Sequence, residues 1–167
     1  MKIEDDFLEQ KDIDKLQTFI MGADFDWHYN DAIVYRGRED EFQFIHIFYK
    51  DAAPRSSTIQ FLDPILVKIN PISILRIKTN LLTRTPNIVE NTFHVDISSV
   101  SEEKLKQLTI SIFYVNTNNG YTEFEDGTKV ESVANRMVTF SDNLKHRVTS
   151  CTDEKTRVVI NFNYFKS

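Results

Sequence analysis

The chain has 167 residues, a mass of 19.6 kDa, an apolar fraction of 41% and a formal net charge of −5, enough for one domain with its own core. Its acidic balance, with Lys and Arg scattered, argues against the basic surface that nucleic acid needs, and no apolar run approaches the ~20 residues of a membrane helix. A single cysteine, Cys151, excludes an intrachain disulfide framework; with an acidic N-terminus lacking a signal-peptide core, this points to the reducing cytoplasm, or the host cytoplasm for a viral protein.

In chain order, Ile13, Leu16, Phe19 and Ile20 form one apolar stripe and predict a helix that stops near Gly22. Trp27 is expected to anchor the core where this helix meets a sheet. FQFIHIFY (42–49) is aromatic on both faces and reads as a buried strand, with His28 and His46 as core or surface histidines. IQFLDPILVKI (59–69) holds a second predicted helix, one that starts near Asp63 with Pro64 in its first turn and is ended by Pro71.

From Ile72 the texture turns to short strands: ISILRIKTNLL, FHVDI, LTISIFYVN, GYTEFEDGTKV, RMVTF, HRVTS and RVVINFNYF. Asp126-Gly127 marks a tight hairpin. SEEKLK (101–106) reads as a polar loop or a short helical turn. About eight antiparallel strands in two sheets make a jelly roll of the cupin kind, so the expected fold is mostly β (α+β). One domain over 1–167 is expected, with helical and strand support over 1–71 and a jelly-roll core over 72–165.

Four residues carry the chemistry. His94 and Asp96 alternate with Phe93, Val95 and Ile97, so a strand would turn both to one side. His146 follows Asp96 by fifty residues, and Arg157 follows His146 by eleven. The last strand has an apolar face, Val158, Ile160, Phe162 and Tyr164, and a second face with Arg157, Val159, Asn161 and Asn163. A cavity wall explains that second face better than solvent does, and a buried Arg there calls for an anion. Two His and one carboxylate on one face of an iron ion leave three positions open, the facial triad of non-haem Fe(II) oxygenases. Taken alone, His94 and Asp96 fit an ordinary polar strand face better than a metal site; adding His146 and Arg157 in order reverses that. Arg76 and Lys78 read as a solvated strand face, and Arg147 as a surface residue.

The ordered set HVD (94–96), IFYVN (112–116), NGYTEF (119–124), VTFSDNLKH (138–146) and TRVVINFNY (156–164) resembles the Fe(II)/2-oxoglutarate-dependent dioxygenases, above all their compact prolyl-hydroxylase-like branch in bacteria and phages. The resemblance implies that His94, Asp96 and His146 hold Fe(II), and that Arg157 and Tyr114 meet the distal carboxylate of 2-oxoglutarate. It places Asn80 near a further cosubstrate contact. Asn161 and Asn163 would supply hydrogen bonds that orient ligands. Gly120-Tyr121-Thr122 departs from the Gly-Gly pair that often precedes a Thr in the family, which leaves Thr122 without an assigned role. The implied reaction is decarboxylation of 2-oxoglutarate to succinate and CO2, coupled to hydroxylation of a substrate by O2, with ascorbate as a reductant. A prolyl or other peptidyl side chain is the expected substrate, with a small molecule as the alternative. Two other readings stay open: a cupin-type metalloenzyme that uses no 2-oxo acid, and a non-catalytic binding module.

Overall fold

The computed structural model describes residues 1–34, 41–97, 103, 107–141 and 143–166. The expected loop over 101–106 lies outside the described residues apart from Glu103. The described elements run β1 (Lys2–Glu4), α1 (Gln10–Ile20), β2 (His28–Asn30), β3 (Gln43–Lys50), β4 (Ala53–Pro54), a 3-10 turn (Ile59–Leu62), α2 (Asp63–Ile69), β5 (Ser73–Thr83), β6 (Leu108–Tyr114), β7 (Tyr121–Phe124), β8 (Lys129–Glu131), β9 (Arg136–Ser141), β10 (His146–Val148) and β11 (Thr156–Phe165). The major sheet has the order β1-β9-β6-β11-β5-β3-β2, with β4 beside β3; the minor sheet has the order β10-β7-β8. Every pairing is antiparallel. The two sheets face each other as a jelly roll, and the major sheet takes β1, β2 and β3 from the first 71 residues.

Alternation along β11 divides the molecule into two cores. Val158, Ile160, Phe162 and Tyr164 face the helices and meet Ile13, Leu16 and Ile20 of α1 and Ile65 and Ile69 of α2. The opposite face looks into the sandwich. There Ile110, Ile112, Val138, Phe140 and Val159 of the major sheet pack on Phe124 and Val130 of the minor one. At about 25 cal/mol per Å² of apolar surface removed from water, each large buried side chain contributes about 1.5–3 kcal/mol, so both faces of β11 anchor the fold. The α1 stripe is as expected. Met21 closes the helix with its N–H on the Gln17 carbonyl, and a Cβ at Gly22 would lie 2.7 Å from the Thr18 carbonyl oxygen. Trp27 packs edge-on against Phe25 beside this core.

The second helix starts at Asp63 as expected, after a 3-10 turn over Ile59–Leu62, and two other expectations need correction. Pro64 has no N–H to give the Gln60 carbonyl, and the Asp63 N–H takes that oxygen instead. Asn70, in the left-handed conformation at φ 43°, ends α2 before Pro71 is reached. The FHVDI stretch is not a strand. It touches the minor sheet through single bridges, Glu90 to Thr149 and His94 to His146. The hairpin between β7 and β8 forms as the Asp-Gly pair demands: Gly127 sits at φ 86°, and the Asp126 carboxylate accepts from the Thr128 N–H.

Candidate metal and oxo-acid site

The irregular segment that carries His94 is strapped down by side chains instead of a ladder. The Arg147 guanidinium pairs with Glu90 at 2.5 Å and Glu123 at 2.6 Å and lies over the Phe93 ring. Tyr121 donates its hydroxyl to Glu90 at 2.6 Å. Arg147 is thus no free surface residue: it clamps residues 90–93 to the minor sheet. Beyond the clamp, His94 and His146 exchange two backbone hydrogen bonds, N–H to carbonyl in each direction, at 2.9 and 3.0 Å. This rung brings their imidazoles together, with centroids 4.8 Å apart.

The three ligand atoms then converge. His94 Nε2 lies 3.7 Å and His146 Nε2 3.8 Å from the same oxygen, Oδ1 of Asp96, and all three atoms lie within 4.8 Å of one another. Each ring turns Nδ1 toward a backbone carbonyl, Thr92 at 3.1 Å for His94 and Leu144 at 3.5 Å for His146. An N–H on Nδ1 leaves a lone pair on each Nε2. Two nitrogen lone pairs and a carboxylate oxygen therefore face one another with no hydrogen between them, and His146 Nε2 is buried without a partner. A divalent cation satisfies all three at once. Burial pulls the His146 pKa below its ordinary value and favours the neutral ring that a metal needs.

The other carboxylate oxygen is held apart. Asn163 donates from Nδ2 to Asp96 Oδ2 at 2.9 Å, and Arg76 Nη2 lies 3.7 Å from the same atom. Arg76 Nε in turn donates to Asn163 Oδ1 at 3.0 Å. Burial alone would raise the Asp96 carboxyl, but the charges of His146 and Arg76 and the Asn163 bond outweigh it and hold the group below the usual carboxylate range. Asn163 thus reaches Asp96 directly, and Arg76, expected in solvent, is partly buried beside them.

Arg157 lies at the other end of the cavity, 1% exposed and without a carboxylate partner among the described residues. Nε donates to Ser132 Oγ at 2.8 Å and Nη2 to Thr122 Oγ1 at 3.1 Å. Tyr114 donates its hydroxyl to the same Thr122 oxygen at 2.9 Å, and its ring lies 5.7 Å from the guanidinium carbon. Burial raises the Tyr114 pKa, which keeps that proton on. A buried cation held by neutral hydroxyls alone is costly, and an anion would relieve it. Gly120 makes room for the Arg157 stem: a Cβ there would sit 2.7 Å from Arg157 Cδ and 2.7 Å from the Ser150 carbonyl oxygen.

The cavity between the two ends is lined by His94, Asp96, Arg157, Asn80, Asn161 and Lys78, with Ile33, Leu82, Val148 and Val159 as its apolar wall. Asn80 and Asn161 each leave a buried Oδ1 without a partner. Lys78, expected in solvent, lines this cavity, and burial with the charge of Arg76 pulls its pKa down to about 8. The register explains why: Arg76 opposes Asn163, Lys78 opposes Asn161 and Asn80 opposes Val159, so one strand face of β5 continues the polar face of β11. Sequence reasoning missed Thr122, Ser132 and Lys78. Only Lys78 left a signal there, the polar alternation Arg76, Lys78, Asn80.

The remaining titratable side chains are passive. His46 is buried with Nδ1 on the Asp26 carbonyl, and His28 is exposed. Cys151 is buried and points its thiol at the Glu154 carbonyl, and burial raises its pKa. Among the described residues no helix is long and apolar enough to cross a membrane.

No family model matches the chain, and no curated protein does. Solved structures do. A prolyl-4-hydroxylase from Pseudomonas putida superposes with a TM-score of 0.64 at 14% identity, covering 99% of this chain and 92% of that one. A prolyl hydroxylase from Trichoplax adhaerens, in complex with a hypoxia inducible factor peptide fragment, gives 0.67 at 14% identity, covering 99% and 83%. The viral collagen prolyl hydroxylase of Paramecium Bursaria Chlorella virus-1, in its 2-oxoglutarate complex, gives 0.58 at 14% identity, covering 99% and 95%. The chain therefore has the jelly-roll fold of the prolyl-hydroxylase-like Fe(II)/2-oxoglutarate oxygenases.

Proposed function

We propose that this protein is an Fe(II)- and 2-oxoglutarate-dependent oxygenase that hydroxylates a peptidyl side chain. The observation that carries the reading is the pairing of two unmet needs across one cavity. Two Nε2 lone pairs and one carboxylate oxygen converge at one end, and a buried guanidinium without a counter-charge among the described residues lies at the other. A 2-oxo diacid would meet both, its 2-oxo acid head held at the metal end and its far carboxylate by Arg157.

In this reading His94, His146 and Asp96 hold the iron, and Asn163 with Arg76 keeps Asp96 Oδ2 occupied so that Oδ1 alone is offered. Arg157 takes the distal carboxylate in a charge-assisted pair, and Tyr114 and Thr122 fix its plane. Val159, Leu82, Val148 and Ile33 exclude water along the cosubstrate. Iron held there, with O2 and 2-oxoglutarate, would supply the oxidising power to turn a substrate C–H into C–OH as 2-oxoglutarate becomes succinate and CO2; the protein supplies orientation and shielding. A peptide target is supported by the prolyl hydroxylases that share the fold, one of them bound to a peptide.

The test is turnover without added substrate. The protein, purified anaerobically, is given Fe(II), ascorbate, O2 and 2-oxoglutarate, and succinate is measured against a His94→Ala control. Succinate above the control supports the reading. Iron bound without succinate favours a cupin-type enzyme that uses no 2-oxo acid, and neither iron nor succinate favours a binding module. A peptide library, read by a 16 Da mass gain, then seeks the substrate.

A further inference from the structure

Lys78 is a cation in this cavity that the triad and Arg157 do not account for. Among the described residues it makes no hydrogen bond and no ion pair, although it lies between Asp96 and Arg157 in the cavity wall. Its place along β5 says which end it serves. The Arg76–Asn163 rung touches Asp96, the Lys78–Asn161 rung is the next on the same face, and the Leu82–Arg157 rung lies two further on. Same-face rungs are spaced by about 6.6 Å, so Lys78 belongs to the triad end. Its neighbours among the described residues leave it unmatched: Asp96, the one carboxylate among the described residues lining the cavity, is already engaged through Oδ2 by Asn163 and Arg76, and Asn161 Oδ1 is buried without a donor.

We propose that Lys78 binds the near carboxylate of the 2-oxo acid, the one beside the keto group, with Asn161 receiving one ammonium hydrogen. This rests on the oxygenase reading above and adds a second cation to it. Arg157 selects for a diacid, and Lys78 holds the 2-oxo acid head that every such cosubstrate shares. One residue would then set which oxo acid binds, and the other how tightly any oxo acid binds.

The test separates the two ends with two ligands and a redox-inert metal. Binding of 2-oxoglutarate and of 2-oxobutyrate, which lacks the distal carboxylate, is measured by calorimetry on Mn(II)-loaded wild type, Lys78→Met, Lys78→Gln and Arg157→Met. Loss of a charge-assisted hydrogen bond predicts that either Lys78 variant weakens both ligands about 10- to 100-fold, by the same factor. Arg157→Met is expected to weaken 2-oxoglutarate alone. Mn(II) affinity and melting temperature of the Lys78 variants are expected to equal or exceed wild type, which separates lost binding from lost folding. The proposal is overturned if both Lys78 variants bind the two oxo acids as wild type does, or if they weaken 2-oxoglutarate only. Should the Mn(II)-loaded wild type bind neither oxo acid, the oxygenase reading falls and takes this inference with it; that failure shows in the wild type and not in the variants.

Discussion

Asn163→Leu tests how the carboxylate is presented. Leu keeps the branched four-atom frame of this fully buried side chain and removes its amide. Two hydrogen bonds go with it, the one to Asp96 Oδ2 at 2.9 Å and the one from Arg76 Nε at 3.0 Å. Each has a charged partner, so each contributes about 1.5–3 kcal/mol net, and Arg76 Nη2 stays close enough to recover part of the loss. A net cost of about 2–4 kcal/mol follows for the metal-free protein, or roughly 5–12 °C in Tm at this chain length. Metal affinity responds separately. The freed carboxylate can swing both oxygens toward the imidazoles, and loss of an orienting partner of this kind typically costs about 10- to 100-fold in affinity. Calorimetric Mn(II) titration and a thermal melt of the metal-free protein measure the two effects. Arg76→Met in the same background should add less than its separate effect, because both side chains meet one oxygen and each other. Mn(II) affinity within about twofold of wild type, with an unchanged Tm, would refute the claim that Asp96 is held through Asn163.

Arg157→Gln is expected to leave Mn(II) binding intact and to raise the 2-oxoglutarate concentration needed for half-saturation by about 100-fold, as loss of a paired buried charge requires; succinate release against cosubstrate concentration measures it. Gly120→Ala puts a methyl group 2.7 Å from both Arg157 Cδ and the Ser150 carbonyl oxygen, and since backbone cannot yield, about 1–3 kcal/mol of stability and much of the 2-oxoglutarate affinity should be lost together, seen in melts and titrations. The metal-free protein should lose stability as pH falls. Burial lowers the folded pKa of His146, so the unfolded chain takes up that proton first as pH drops through its ordinary value near 6.5; melts from about pH 7.5 to 5.5 should show the decline, and His146→Phe should flatten it.

Much of the site was legible because a jelly roll brings strand faces together in a set order. The His94, Asp96, His146, Arg157 order, each on or beside a strand, needed only that closure to converge. The polar face of β11 was legible for a different reason: Asn161 and Asn163 have no place in a packed core without a cavity. The same alternation on β5 was ambiguous, since Arg76 and Lys78 look alike whether the face meets water or a cavity, and only the antiparallel register with β11 decides. Thr122 and Ser132 could not be found from their own neighbours, because a hydroxyl that holds a guanidinium from another sheet leaves no local pattern. FHVDI has strand-like alternation but lacks a ladder; Arg147, paired with Glu90 and with Glu123 of β7, fixes it instead, and that too is information carried between distant residues. The short edges β1, β2 and β4 fall below any periodic signal.

The reciprocal main-chain pair between the two histidines has a practical meaning for anyone probing this protein. Because amide and carbonyl groups set the spacing of residues 94 and 146, swapping either imidazole for a methyl leaves the scaffold of the rung untouched. Single-histidine variants should therefore keep this backbone rung, and a metal ion added to the protein should meet a seat already built.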